Sequence, residues 1–168
     1  MPGLTALFVR VGAAAVITAL IGTALATPPS GIVSGTVVAR AGFVDSVDLK
    51  FKITGADSHE IIRAPELQET VMQQIVIAPG GSTGWHSHPG PVVVLIKTGQ
   101  LTVYSSEDPT HTPHTYSAGE AFVESGQGLV QIAFNLGSQN VELWATYFDV
   151  PPGGAFRLDA PQPENWSF

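Results

Sequence analysis

The segment Gly80-Gly-Ser-Thr-Gly-Trp-His-Ser-His-Pro-Gly-Pro91 contains two histidines, His86 and His88, separated by a single residue. Side chains two positions apart on a β-strand point to the same face. The two imidazoles should therefore project together, and in a barrel one of the two faces is the interior. Two imidazoles that converge inside a barrel are typical of a metal site. The alternative is structural: one histidine caps the Gly/Pro turn, and the other packs in the core.

The sequence on both sides of this segment has the pattern of short β-strands. Apolar residues alternate with polar ones over 43–53 and 71–77, and Pro91–Lys97 is a continuous apolar run of the kind found in buried strands. Further strands are expected at 101–105, 120–124, 129–136 and 141–149. Strands at such short spacing favour a sandwich or a barrel, so the sequence predicts an all-β fold.

The mature chain is predicted to be one domain. Residues 43–150 form the expected barrel, 27–42 a linker and first strand, and 151–168 a Pro-rich C-terminal arm that packs in an extended form. Residues 106–118 are expected to be a long polar loop.

The segment around the two histidines resembles the first motif of the cupin superfamily, Gly-x5-His-x-His-x3,4-Glu-x6-Gly. Its glycines and histidines match Gly80, His86, His88 and Gly99 at the spacing of the motif. Val92 occupies the position of the motif's Glu.

The second cupin motif, Gly-x5-Pro-x-Gly-x2-His-x3-Asn, is recognisable from Gly119 with one extra residue and without its proline. Gly128 and Asn135 match, and Gln131 occupies the His position. Related short exported cupins often carry a His-x-His pair here, where this chain has Leu129 and Gln131.

The resemblance covers about residues 70–150 and implies a cupin-type barrel, a double-stranded β-helix or jelly roll. It also implies a metal held by three His and one Glu, of which His86 and His88 are present. Gln131 would be a third, weaker ligand through its amide oxygen. Imidazole suits zinc, copper and nickel, whereas iron is less well served without a carboxylate. The expected cofactor is thus a weakly bound divalent metal (Zn, Ni, Cu or Fe).

Other side chains are candidates to complete this ligand set. Alternation from Phe122 places Glu124 on the inner face near a barrel mouth, although a solvated carboxylate at a strand end is an alternative. His111 and His114 would serve if their loop folded over the mouth, and exposed loop histidines are the alternative there.

A small barrel can also enclose one small ligand. The expected pocket lining is Val92, Tyr104, Phe122 and Leu129, with plain core packing as the alternative. The resemblance to cupins further implies a homodimer.

The amino-acid composition argues against some classes of binding partner and metal site. The chain has 168 residues, with 7 Lys+Arg against 14 Asp+Glu and a net charge of −7. This balance argues against nucleic acid as a partner, because nucleic-acid binders present basic patches. The absence of Cys excludes disulfides, thiolate zinc sites and iron–sulfur clusters.

The N terminus has the pattern of an export signal. Arg10 is followed by a charge-free, mostly apolar stretch, Val11–Leu25, and Ala24-Leu25-Ala26 is a small-x-small cleavage pattern. We therefore expect residues 1–26 to be a signal peptide cleaved after Ala26. The exported protein would then keep no stable membrane span. An uncleaved N-terminal anchor is the alternative.

The sequence leaves three functions open. The first is an exported cupin-domain protein that binds a small molecule, or a divalent metal weakly, or both. The second is a metal-dependent cupin enzyme of the dioxygenase or isomerase type, with a remodelled ligand shell. The third is an interaction protein that uses its acidic surface and Pro-rich tail.

Overall fold

The computed structural model describes residues 25–54 and 59–167, which form twelve β-strands and no helix. The strands are β1 (Ser30–Gly42), β2 (Leu49–Thr54), β3 (His59–Ala64), β4 (Glu69–Ser82), β5 (His86–Ser87), β6 (Val92–Thr98), β7 (Gln100–Ser105), β8 (His114–Ser117), β9 (Ala121–Glu124), β10 (Gln131–Phe134), β11 (Val141–Val150) and β12 (Leu158–Asp159). The predicted all-β fold is confirmed.

Ten strands form one antiparallel sheet with two halves. In one half, β1, β4, β11, β6 and β9 pair in that order; in the other, β12, β5, β10, β7 and β8 do so. The halves are joined where Phe134 of β10 pairs with Ser82 of β4. At the opposite side, backbone bonds such as Gly119 N–H to the Ile96 carbonyl (2.8 Å) and Ala118 N–H to the Gly99 carbonyl (3.0 Å) draw the β8–β9 turn against β6. The result is a nearly closed barrel.

The barrel core is built from side chains of both halves. Every second residue of β11 is buried over Val141–Tyr147, as the alternation of strand side chains requires. The buried apolar members of this core are Val71, Ile77, Val92, Val94, Ile96, Leu101, Ala133, Val141, Leu143, Ala145, Tyr147 and Val150. Because β7 and β10 contribute to the same cluster as β4, β6 and β11, the two halves pack face to face.

The C-terminal arm lies against the barrel. Its strand β12 pairs with β5, and the Ala160 N–H donates to the Trp85 carbonyl at 2.9 Å. Trp85 and Trp166 pack edge to face, with ring centroids 5.2 Å apart. Together with Tyr104 they form an aromatic cluster outside the barrel core. The arm is thus part of the folded domain.

Several elements differ from the sequence-based expectation. The strand expected over 43–53 begins only at Leu49, as β2, and β3 lies where no strand is expected. The expected polar loop 106–118 ends in strand β8, which pairs with β7. The N-terminal strand β1 is long, and each of its residues is exposed although it pairs with β4 along its length.

The hairpin of β2 and β3 forms a separate two-stranded sheet. It is attached to the barrel where the Ser125 hydroxyl donates to Glu60 and the Gln127 side-chain amide donates to the Arg63 carbonyl at 2.7 Å.

Residues 1–24 of the expected signal segment lie outside the described residues. Within the described part of the chain, no helix has the length and apolar character to cross a membrane.

Two glycines bring the histidine segment against strand β9. Gly126 has a φ of +63°, and a Cβ at this position would overlap the carbonyl oxygen of Gly90. Only glycine combines this conformation with such a close approach. Gly90 lies two residues after His88, and Gly126 lies two residues after Glu124. The contact therefore holds these two side chains near each other.

The substitution Gly126→Ala tests this contact. It should lower the free energy of unfolding by at least about 2 kcal/mol more than Gly80→Ala, because overpacking adds to the cost of the left-handed conformation. Gly80 is the matched control, since its φ is +74° and a Cβ there would meet no atom within 4 Å. Chemical denaturation of the two variants gives the comparison. Equal losses would show that the close approach is not a constraint.

Candidate functional site

Two imidazoles lie side by side in the barrel. His86 belongs to β5 and His88 follows directly after it, and both are buried, with exposed fractions of 5% and 3%. Their ring centroids are 4.9 Å apart. The spacing of the two histidines thus brings both rings to the interior face, as expected from strand geometry.

Each imidazole is oriented by a backbone carbonyl. His86 Nδ1 lies 2.8 Å from the Gly84 oxygen, and His88 Nδ1 lies 2.7 Å from the Phe156 oxygen. A carbonyl only accepts hydrogen bonds, so each Nδ1 carries a proton and donates. Each ring is left with Nε2 for other contacts. Metal-binding histidines are usually held in this way, with the second ring nitrogen bonded to a carbonyl or a carboxylate.

Glu124 reaches the imidazoles from the neighbouring strand. It is the residue paired with Val92 across β6 and β9. Its Oε2 lies 3.1 Å from His88 Nε2, and its side chain is only 10% exposed. A solvated Glu124, the alternative that the sequence left open, is therefore wrong. A carboxylate is present after all beside the position where the cupin motif carries Glu, but it comes from β9 rather than β6.

The balance of burial and hydrogen bonding keeps Glu124 ionised. Burial acts to raise the pKa of Glu124, but the contact with His88 Nε2, the nearby His86 and a hydrogen bond from Gln131 outweigh it and lower the pKa. Gln131 pairs with His86 across β5 and β10. Since its side chain donates to Glu124, Gln131 orients the carboxylate in this arrangement.

His86 is neutral near pH 7. Burial lowers its pKa from the ordinary 6.5 to about 4, and the positive charge of Arg157 acts in the same direction. The negative charge of Glu124 raises the pKa of His86 but does not compensate for burial. A neutral imidazole with a free Nε2 is the form that binds metal ions.

The two loop histidines are placed differently. His111 stacks on Trp166, with ring centroids 4.0 Å apart, and accepts a hydrogen bond from Asn165 at 3.3 Å. It is therefore engaged with the C-terminal arm. His114 lies on β8 and lines a cavity together with Glu124 and Gln131.

Two cavities adjoin the cluster of His86, His88, Glu124 and Gln131. The front cavity, of about 200 Å³, is lined by both histidines, by Arg157 and by residues of β1 and β4. The rear cavity, of about 240 Å³, is lined by Glu124 and Gln131 on the side of β8 and β9. A smaller void of about 40 Å³ lies inside the barrel, between the histidines and the core.

The residues expected to line a ligand pocket are divided between different places. Phe122 and Leu129 line the rear cavity, where Phe122 stacks on Tyr116 at 4.0 Å. Val92 is fully buried in the barrel core, and Tyr104 packs in the aromatic cluster near Trp166. The prediction that Val92 and Tyr104 line a ligand pocket is therefore wrong. The alternation of side chains predicts on which face of a strand a residue lies, but it does not predict how deeply the residue is buried in the barrel.

The chemical types of the donor atoms in the cluster suit a divalent cation. Two imidazole nitrogens and one carboxylate are ligands that zinc, nickel and copper accept. The separation of 3.1 Å between His88 Nε2 and Glu124 Oε2 is also close to the distance of about 3 Å between two ligands that each lie about 2.1 Å from one ion. In residues 25–54 and 59–167, however, no group of three or more His, Asp and Glu side chains is arranged to hold a metal ion as it stands. A third donor would have to move to complete a site.

Comparison with solved structures finds several proteins of similar fold. Oxalate oxidase is 28% identical over 48% of this chain and 41% of its own, with a TM-score of 0.40. A cupin-like protein from Thermotoga maritima is 18% identical over 55% of this chain and 65% of its own, with a TM-score of 0.48. A protein with a double-stranded β-helix domain from Klebsiella pneumoniae is 16% identical over 68% of this chain and 85% of its own, with a TM-score of 0.45.

These similarities concern the fold. The chain spans less than half the length of the oxalate oxidase that it matches. No protein-family model matches the sequence, and no curated protein matches it.

The low pKa of His86 predicts a pH dependence of stability. Between pH 6.5 and 4.5 an unfolded chain binds a proton at this histidine that the folded chain excludes, so stability falls as the pH falls. The expected loss is about 2 kcal/mol over this window, and His86→Gln should remove most of it. Urea denaturation of the metal-free protein at several pH values measures the effect.

The exposed residue His59 provides the control for this measurement. A His59→Gln variant should keep the full pH dependence. The carboxyl groups with lowered pKa values, such as Glu69 and Glu142, act mainly at lower pH. An unchanged slope in His86→Gln would contradict the assignment to His86.

Proposed function

We propose that this chain is a binding protein whose barrel takes up a divalent cation at His88 and Glu124, with His86 as the third ligand, together with a small molecule in the adjoining front cavity. The observation that carries the proposal is the 3.1 Å contact between His88 Nε2 and Glu124 Oε2 in a buried setting. Export through the signal segment 1–26 is part of the same proposal.

The environment of the contact favours a cation between the two groups. His88 Nδ1 already donates to the Phe156 carbonyl, so in a neutral ring Nε2 would present a lone pair to the Glu124 carboxylate. Two acceptors at this distance need a proton or a metal ion between them. A divalent ion would satisfy both groups at once and would offset the charge of a buried carboxylate.

His86 is the donor best placed to complete the set. Its ring lies next to that of His88, it is neutral at pH 7, and its Nδ1 is fixed by the Gly84 carbonyl. Gln131 supports the set by holding Glu124. A divalent ion bound here would supply Lewis-acid polarisation of an oxygen atom on a bound small molecule.

The alternative is a metal-dependent enzyme of the dioxygenase or isomerase type. The specific observation in its favour is the carboxylate of Glu124, since it replaces the ligand that is missing at Val92. Both functions share the same first requirement, which is the uptake of a metal ion by this cluster.

The first test is the titration of purified, chelator-treated protein with zinc. The parent should bind one ion per chain, and Glu124→Gln should weaken binding at least about tenfold because a charged ligand becomes a neutral one. The double variant His86→Ala/His88→Ala should bind no zinc. Isothermal titration calorimetry with metal analysis gives both stoichiometry and affinity.

Glu60 provides a matched control for the lost charge. It lies beside the rear cavity but bonds to Ser125 instead of a histidine. Glu60→Gln should therefore leave zinc affinity unchanged. The proposal fails if the parent takes up no zinc, nickel, copper or iron(II), or if Glu124→Gln binds zinc as tightly as the parent.

The predicted homodimer has a candidate surface in strand β1. Among the strands of residues 25–54 and 59–167, β1 pairs with β4 alone, and its apolar residues Val33, Val37 and Val38 are 61%, 45% and 50% exposed. A long exposed edge is a template for pairing with another strand. We propose that two copies of the chain pair through β1.

A lysine on this edge should separate the copies. Val38→Lys should weaken dimerisation at least about tenfold, because a charge on an edge opposes pairing. Leu136→Lys is the control, since Leu136 is 65% exposed but lies outside the strands. Sedimentation equilibrium of both variants measures the association, and a monomeric parent protein would rule out the dimer.

A further inference from the structure

The front cavity differs in charge from the rest of the protein. The chain has a net charge of −7, yet the described residues that line this cavity include the cationic side chain of Arg157 and no Asp or Glu. Glu124 faces the histidines but lines the interior void and the rear cavity instead. A cavity lined by groups of one sign attracts ligands of the opposite sign, so the front cavity suits an anion.

Arg157 is held at this cavity with spare donors. Its Nε donates to Asp159 at 2.8 Å, and its Nη2 donates to the Thr83 carbonyl at 2.6 Å. A guanidinium has five N–H groups, so both N–H groups of Nη1 and one of Nη2 remain outside these two bonds. The partner Asp159 is itself 52% exposed, and its pairing with Arg157 is accordingly weak in water. The guanidinium thus keeps the capacity to pair with a further carboxylate.

The remaining walls of the cavity are largely apolar. Ile32 of β1, Ile75 of β4 and Pro29 lie on its sides, and Tyr147 lies near His88, with ring centroids 5.1 Å apart. A free inorganic anion would leave these walls in contact with water. A volume of about 200 Å³ is below the range of about 300–1,000 Å³ found for drug-sized ligands. The ligand should therefore combine one negative group with a short hydrocarbon part.

We propose that the front cavity binds a small organic monocarboxylate and that Arg157 is the specificity-determining residue that pairs with its carboxylate. Arginine suits this task because its planar donors match a carboxylate in two-point hydrogen bonding. This inference rests on the proposed function, since it names the class of small molecule that would bind beside the histidines.

The experiment uses butyrate and butyramide as probes of equal shape and different charge. Both are titrated into the chelator-treated protein, and ligand-observed NMR gives the affinities. Butyrate should bind at least tenfold more tightly than butyramide. Arg157→Gln should weaken butyrate binding at least tenfold and leave butyramide unchanged, whereas Arg157→Lys should retain part of the preference for butyrate.

Two controls separate this proposal from changes in folding and overall charge. Arg63→Gln removes the same charge from strand β3, outside the lining of the front cavity, and should not affect butyrate binding. Thermal unfolding of each variant shows whether the loss of the bond to Thr83 disturbs the fold. If Arg157→Gln is destabilised, the charge preference of Arg157→Lys and of the parent still decides the matter.

Zinc titration of the same variants distinguishes this proposal from the proposed function. Arg157→Gln should bind zinc at least as tightly as the parent does, because Arg157 is not among the expected ligands and its positive charge opposes a cation beside His86. The inference is overturned if the parent does not distinguish butyrate from butyramide. It is also overturned if butyrate binds only with zinc present and equally well to Arg157→Gln, since the ion rather than Arg157 would then hold the carboxylate.

Discussion

The backbones of Gly90 and Gly126 pass so close together that a side chain at Gly126 would overlap the carbonyl oxygen of Gly90. This approach fixes the end of the histidine segment against the end of β9. It places His88 and Glu124, each two residues away from its glycine, at hydrogen-bonding distance. The candidate site therefore depends first on a backbone contact that contains no functional group, and only then on the side chains that this contact brings together.

The buried polar cluster makes the barrel less stable than apolar side chains at the same positions would. Removing a carboxylate and an imidazole from water costs several kcal/mol per ion, and their mutual attraction offsets this only with good geometry. The surrounding positions, such as Val92 and Ala145, show that apolar side chains pack well here. Stabilisation of the fold thus does not account for the cluster, and the proposed uptake of a cation would give it a role. The hydrogen bonds to the two carbonyls and the contact between His88 and Glu124 reduce that cost.

Sequence periodicity predicts strands β4, β6, β7, β9, β10 and β11 and the convergence of the two histidines. Alternation along a strand fixes which residues share a face, so the convergence of His86 and His88 follows directly. It also places Glu124 with Phe122, but it does not say which residue faces Glu124 across the ladder. That needs the register of β6 against β9, which pairs Glu124 with Val92, and register is set by contacts far apart in the sequence.

Other features are inaccessible to sequence patterns for different physical reasons. Strand β1 is held by its backbone bonds to β4 while its side chains stay exposed, and the sequence of a strand does not show which of its side chains other elements cover. His111 lies against Trp166 because the arm folds back along β5, and no local pattern indicates this long-range packing. The position of Arg157 at the front cavity cannot be predicted from local sequence for the same reason, since its hydrogen-bond partner Thr83 is 74 positions away.

The arm also has a consequence for the order in which the molecule is made. The carbonyl of Phe156 orients His88, Arg157 lines the front cavity, and Ala160 bonds to Trp85. Domains emerge from the ribosome with the N-terminal part first, so the barrel strands are synthesised before the residues that complete the site. A nascent chain that stops before Phe156 contains every strand of the barrel sheet except β12, yet it leaves the imidazole of His88 without its hydrogen bond to the Phe156 carbonyl. Ligand binding at this site would therefore require that the C-terminal arm has been synthesised.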